Sequence, residues 1–165
     1  MVGGFELDEV YRLETNVDDC PAEVLGVAME RLLAAGALDV WFTPIFMKKH
    51  RPGVMLSALC EEGVRDALAD LILTETTAFG VRIEKITRLK LARRFKLVQT
   101  PYGEVQIKLG LKGGRVVQVA PEFESVRAAS EATGVPLRNV YEAAVAAWRE
   151  REAEEESTPP PPAAS

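Results

Sequence analysis

Histidine is almost missing from this sequence: His50 stands alone, so no multi-histidine metal site can be assembled within the chain. Cysteine is nearly as scarce. Cys20 and Cys60 cannot form a disulfide framework, and no CxxC pair occurs. No apolar run approaches the roughly 20 residues that cross a bilayer, and no basic-then-apolar leader opens the sequence. Membrane partners are therefore not expected, and the cytoplasm is the expected compartment. GxxxxGK[ST], GxGxxG after a strand, GxSxG and HExxH are all absent, which leaves serine, cysteine–histidine and zinc hydrolases unsupported. An excess of one charge is lacking too. The net charge is −5, but residues 150–165 hold five glutamates against one arginine, so the rest of the chain is almost neutral. A general nucleic-acid binder needs surplus Lys and Arg, so none is expected.

What is present is an ordinary globular composition. The chain has 165 residues, 47% hydrophobic and 27% charged, which suits one domain or two small subdomains. Val10 to Val17 reads as a strand. Pro21 then opens a helix in which Leu25, Ala28, Met29, Leu32 and Leu33 recur at helical spacing, with Gly36 as its stop. Leu38 to Met47 is rich in Val, Trp, Phe and Ile and reads as a strand. Lys48-Lys49-His50-Arg51-Pro52-Gly53 reads as a polar turn, and Val54 to Cys60 as the returning strand of a hairpin. A second helix carries Val64, Ala67, Leu68, Leu71 and Ile72 at the same spacing. Past Gly80, a long alternating strand is expected from Val81.

Strand, helix, strand, strand, helix, strand is the order of the ferredoxin-like split βαβ unit, an antiparallel sheet with two helices on one face. Phe95–Thr100, Glu104–Leu111 and Arg115–Ala120 follow as a small β-meander. Two C-terminal helices complete it, one over Phe123–Thr133 stopped by Gly134, the other opened by Pro136. The expected fold is thus α+β, with an arm over 1–9, the ferredoxin-like unit over 10–93, the meander and helices over 94–150, and an acidic, proline-rich tail over 151–165. That tail is expected to be disordered, since it cannot bury an apolar face.

Four constellations could carry chemistry. Glu14, Asn16, Asp18 and Asp19 sit at a strand-to-helix junction. Asp18 and Asp19 are oxygen ligands suited to Mg²⁺ or Mn²⁺ bound together with a substrate's phosphates. The same carboxylates could instead cap the helix that follows, and the two roles are compatible. Lys48, Lys49 and Arg51 in the hairpin turn could hold a triphosphate, or form an ordinary solvated turn. Thr76 and Thr77, with Gly80, lie between helix and strand and could line a cleft or simply end the helix. The expected strand from Arg82 to Leu97 would place Arg82, Glu84, Arg88, Lys90, Arg94 and Lys96 on one face. Such a face could meet phosphates, an acidic partner or another subunit, or serve as a charge-protected edge.

The runs Glu14-Thr15-Asn16-Val17-Asp18-Asp19, Gly36-Ala37-Leu38-Asp39-Val40, Thr43 to Gly53 through Met47-Lys48-Lys49-His50-Arg51-Pro52-Gly53, and Glu75 to Arg82 are specific in combination. With Thr100-Pro101-Tyr102-Gly103 and Thr133-Gly134-Val135-Pro136-Leu137, they resemble the C-terminal domain of the LarC family, nickel insertases of nickel-pincer nucleotide biosynthesis. The resemblance covers about residues 9–150. It implies an enzyme that inserts Ni²⁺ into pyridinium-3,5-bisthiocarboxylic acid mononucleotide, with CTP hydrolysed to CMP and pyrophosphate in the presence of Mn²⁺ or Mg²⁺, for the cofactor of lactate racemase. It also implies an N-terminal LarC domain as partner, which would hold most of the nickel. This chain is then expected to be a C-terminal fragment or separate subunit that binds CTP without full activity of its own.

On that footing Asp18 and Asp19 are the expected metal-side residues. The expected nucleotide contacts are Lys48, Lys49, Arg51, Asn16, Thr76, Thr77, Arg82 and Arg94. No catalytic residue is assigned, and His50 is given no role. The competing expectation is a homo-oligomerisation domain without a nucleotide site, suggested by open sheet edges and by Trp41 and Phe46, which one small core would struggle to bury.

Overall fold

The computed structural model describes residues 3–157. They gather into two compact units, one over Leu7–Leu89 and the other over residues 3–6 with 90–157.

The first unit runs β1 (Glu6–Val17), α1 (Ala22–Ala34), β2 (Asp39–Met47), β3 (Arg51–Cys60), α2 (Arg65–Glu75) and β4 (Arg82–Lys90). Its sheet order is β2-β3-β1-β4, the order of the ferredoxin-like arrangement. β3 pairs antiparallel with both β1 and β2, in a register that includes Leu13↔Ala58 and Val40↔Ala58. Along the β1–β4 edge the side chains pair in opposing order: Asn16 with Arg82, Arg12 with Glu84, Asp8 with Arg88. Strand alternation sends Leu13, Val40, Leu56, Ala58 and Cys60 into one core with Leu32, Leu68 and Ile72 of the two helices. Leu33 departs from its expected place and is exposed, because the buried stripe of α1 is narrower and holds only Leu25, Ala28 and Leu32.

β1 begins at Glu6, four residues earlier than its apolar pattern suggests. Its acidic start is held to β4 by ion pairs rather than by packing: Arg88 Nη2 lies 2.8 Å from Asp8 Oδ2 and Lys85 Nζ 2.7 Å from Glu9 Oε2. The hairpin turn is tighter than the sequence suggests. Only Lys48–His50 leaves the sheet, as one 3₁₀ turn. Lys49 and His50 take φ of 62° and 59°, the left-handed region that costs roughly 1–2 kcal/mol for a side chain with a Cβ.

The second unit holds β5 (Ala92–Thr100), β6 (Gly103–Lys112) and β7 (Arg115–Pro121), then α3 (Phe123–Thr133) and α4 (Leu137–Ser157). The three strands form one antiparallel sheet in sequence order. Val98, Val105, Ile107 and Leu109 pack with Val126, Val140, Ala144 and Trp148. Gly134 ends α3 in the left-handed conformation, φ 69°, with its N–H on the Ser130 carbonyl. Residues 3–6 belong here because the Gly113 N–H donates to the Gly4 carbonyl at 2.9 Å and the Lys112 ammonium lies 4.6 Å from the Phe5 ring centroid.

Two expectations need correction. The single strand from Arg82 to Leu97 is two strands in two sheets, divided at Leu91. Its proposed six-residue face therefore does not exist, because the strand partners change at the division. The acidic segment after Glu150 is not wholly irregular either, since α4 continues to Ser157. Glu, Arg and Ala are strong helix formers and extend a helix without burying a face. The prolines of the expected tail lie outside the described residues.

Candidate functional site

β1 delivers its last residues to one end of the first sheet. Thr15 and Val17 are buried, and Asn16 between them points the other way and is exposed. The chain then turns at Asp18-Asp19 before α1. Pro21 occupies the N-cap position of α1, and no side chain caps that helix. The capping role open to Asp18 and Asp19 is thus not taken up. Each carboxylate instead uses one oxygen to tie in another element. Arg51 Nη1 donates to Asp18 Oδ2 at 3.1 Å, and Thr77 Oγ1 donates to Asp19 Oδ1 at 2.5 Å. The strand register explains the first contact: Val17 faces Val54, so Arg51, three residues further out on β3, overhangs the turn that follows Val17.

The segment between α2 and β4 supplies the opposite wall. Thr76 Oγ1 donates to the Ile72 carbonyl at 2.6 Å and accepts the Ala78 N–H at 3.1 Å. Its hydroxyl therefore closes the end of α2 and is engaged by backbone on both sides. Thr15 Oγ1, buried at the end of β1, donates to the Gly80 carbonyl at 2.8 Å. Arg82 follows; its Nη2 donates to Asn16 Oδ1 at 2.8 Å and lies 3.7 Å from Glu14 Oε2. Glu14 also faces Arg12 Nε at 3.3 Å, a contact of charges without hydrogen-bond alignment. The Glu84 hydrogen bond, with the Glu14 and Glu84 charges, pushes the Arg12 guanidinium above its ordinary value.

Between these walls lies a cleft of about 310 Å³. Its polar lining includes Asn16, Asp18, Asp19, Thr77 and Arg82, and its apolar lining includes Val17, Met47, Ala78 and Phe79. Gly53 is needed for this wall. A Cβ there would stand 2.8 Å from the Val17 carbonyl oxygen and 2.9 Å from Met47 Sδ, closer than atoms pack without displacement. The remaining oxygens of Asp18 and Asp19 accept no hydrogen bond among the described residues. No group of three or more His, Cys, Asp or Glu suited to a metal occurs among those residues. Two carboxylates beside a cleft are the donor set of a Mg²⁺ or Mn²⁺ ion whose other ligands are phosphate and water, not of an all-protein cage. The residues present fit such an ion.

Of the residues singled out in the sequence, Asn16, Asp18, Asp19, Thr77 and Arg82 line this one cleft, and Arg51 joins them through Asp18. Lys48 and Lys49 are exposed on the 3₁₀ turn beside Met47 and do not line it. Arg94 lies on β5 in the second unit, opposite Leu109. Met47 and Phe79 carried no polar signal in the sequence. Gly53, read in the sequence as the end of a polar turn, lies within β3.

A family model described as nickel insertion protein matches residues 2–141. The chain is 50% identical over 138 residues to a Myxococcus xanthus (strain DK1622) protein named for nickel insertion, covering 84% of this chain and 35% of that protein. It is 41% identical over 131 residues to the pyridinium-3,5-bisthiocarboxylic acid mononucleotide nickel insertion protein of Thermotoga sp. (strain RQ2), covering 79% and 33%. It thus spans about a third of the length of these relatives. Among solved structures, it superposes with TM-score 0.82 and 41% identity on LarC2, the C-terminal domain of a cyclometallase involved in the synthesis of the NPN cofactor of lactate racemase, in its apo form, covering 87% of this chain and 99% of that one. With a family model matched over most of its length, this chain belongs to the nickel insertion protein family.

Proposed function

We propose that this chain is the CTP- and divalent-cation-binding domain of a nickel insertase, acting in the transfer of Ni²⁺ into pyridinium-3,5-bisthiocarboxylic acid mononucleotide. The observation that carries the reading is the diversion of Asp18 and Asp19 from helix capping to a cleft that Arg82 also lines. Family membership supports the nickel chemistry, and the name of the Thermotoga relative supplies the substrate. Nickel is cargo here. The nickel-holding ligands are assigned to the two-thirds of the relatives that this chain does not span.

In this reading Asp18 and Asp19 hold Mn²⁺ or Mg²⁺ through the oxygens left open by Arg51 and Thr77. Bound there, the ion would supply charge neutralisation to the triphosphate. Arg51 keeps the Asp18 carboxylate in one orientation, and the Thr77 hydroxyl does the same for Asp19. Arg82 gives the phosphates a fixed cation, with donors to spare beyond its bond to Asn16. Lys48 and Lys49, as mobile charges at the rim, raise the local concentration of an anion more than they orient it. As water splits the bond between the α- and β-phosphates to give CMP and pyrophosphate, these cations stabilise charge on the leaving pyrophosphate.

Calorimetric titration of CTP in the presence of Mn²⁺ tests the reading. The expected result is saturable binding that needs both components; absence of heat, with no ligand-induced rise in melting temperature, contradicts it. A second reading, assembly without a nucleotide site, draws on Phe46, which is 87% exposed at the end of edge strand β2. Light scattering with and without CTP separates the two: a defined oligomer that never binds nucleotide favours assembly.

A further inference from the structure

Phe79 is fully exposed, yet the residue on each side of it is held by a hydrogen bond. On one side the Ala78 N–H is held by Thr76 Oγ1, itself bonded to the Ile72 carbonyl of α2. On the other side the Gly80 carbonyl accepts the hydroxyl of Thr15, which is only 3% exposed. The ring contributes no burial to the fold, and the backbone on either side of it is tied to α2 and to β1. It lines the same cleft as Asp18, Asp19 and Arg82, and the thioether of Met47 is part of that lining.

We infer that Phe79 is the platform on which the base of the bound nucleotide stacks. The inference rests on the nucleotide reading of the cleft and adds a ligand contact to it. A nucleoside triphosphate has a charged end and a flat, uncharged one. The cleft offers matching chemistry: carboxylates and a guanidinium for metal-bound phosphates, and an open aromatic face, with a polarisable sulfur in the same lining, for a planar ring. Stacking needs no pattern of hydrogen bonds and is tolerant of base identity. Phe79 therefore sets how tightly a pyrimidine nucleotide is held and leaves the choice between cytosine and uracil to other groups.

The test compares CTP with inorganic tripolyphosphate, a probe without base or sugar, each titrated calorimetrically with Mg²⁺ into the full chain. Phe79→Ala should weaken CTP by about 5- to 150-fold, the range for loss of one base–aromatic stack. It should weaken UTP by the same factor, and leave tripolyphosphate and the melting temperature without ligand unchanged. Phe79→Trp should restore CTP binding. Unchanged CTP affinity in Phe79→Ala, equal losses for CTP and tripolyphosphate, or a change in mass by light scattering in place of a change in affinity would each overturn the platform while the nucleotide site stands. If the unaltered chain binds neither probe, the nucleotide reading itself fails and the platform falls with it.

Discussion

The two units pack helices on an antiparallel sheet in similar ways but place their polar contacts differently. In the second unit the charged pairs are mostly close in sequence and lie on helix surfaces: Arg127 with Glu124 and Glu131, and Arg138 with Glu142. Such pairs are worth a few tenths of a kcal/mol each and define no cavity. In the first unit, contacts reach across the sheet end: Asp18 to Arg51, Asp19 to Thr77, Asn16 to Arg82, separated by 33, 58 and 66 residues. Each joins two elements that the apolar core already holds in place. Polar groups fixed in that way at strand ends form a wall with directed donors and acceptors. The difference locates the candidate chemistry in the first unit, and it can be attacked from several sides.

The largest expected contrast is between two arginines of like appearance in the sequence. Arg82→Ala should weaken CTP binding by about 1.5–3 kcal/mol, the worth of a charge-assisted hydrogen bond. Arg94→Ala, on β5 of the second unit, should leave it within about twofold. Equal effects, read by calorimetry, would erase the distinction between the units.

Glycines give the next contrast. Gly53→Ala sets a methyl group against the Val17 carbonyl oxygen at 2.8 Å, and backbone cannot rotate aside. A loss of about 1–3 kcal/mol by urea unfolding is expected, together with weaker CTP binding as Met47 is displaced. Gly110→Ala in the second unit meets Leu91 Cδ1 at 2.7 Å and Gln118 Cβ at 2.9 Å. The Leu91 methyl can swing aside but Gln118 Cβ moves only with its backbone, so a stability loss of similar size is expected, with CTP binding unaffected. Equal effects of the two variants on CTP binding would show that the Gly53 contact is not what shapes the cleft wall.

Much of this architecture is legible in the sequence. The limits of α3 follow from Gly134 and the apolar spacing, and the split βαβ order follows from two helical templates between four strand patterns. What escapes is decided by distant partners. The division at Leu91 has no glycine or proline to mark it, and the lapse of alternation at Ala92-Arg93 is brief, so the exchange of sheet neighbours is what reveals two strands. At the site, residue type identifies Asp18, Asp19 and Arg82 as candidates. It cannot show that Thr76 is occupied by the end of α2 while Thr77, one residue later, reaches Asp19, because that depends on where a helix stops to within a single residue. Phe79 and Met47 escape for another reason: an apolar side chain on a cleft wall reads in sequence like one in a core.

The smallest expected effect concerns the cysteines, both in the first unit. Cys60 is fully buried, and burial pushes its thiol above the ordinary value. Its thiolate is therefore disfavoured in the fold, and the stability it contributes is fully present below the ordinary thiol range and lost as the pH rises through the raised value. Cys20 is partly exposed. Native-state alkylation near neutral pH should label Cys20 and spare Cys60, as mass spectrometry would show; equal labelling would mean that the core of this unit opens readily.

The central claim is that the acid pair after β1 serves a ligand and not the helix. Electron paramagnetic resonance of Mn²⁺ addresses it directly, because the sharp signal of the free ion is lost on binding. Adding CTP together with the protein should remove far more of that signal than CTP alone, and the double variant Asp18→Asn with Asp19→Asn should abolish the difference while its melting temperature stays near that of the unaltered chain. Undiminished Mn²⁺ capture by the double variant would contradict the claim. So would a drop in stability of about 1 kcal/mol in the double variant Asp18→Ala with Asp19→Ala, as expected from a lost helix cap, with no change in capture.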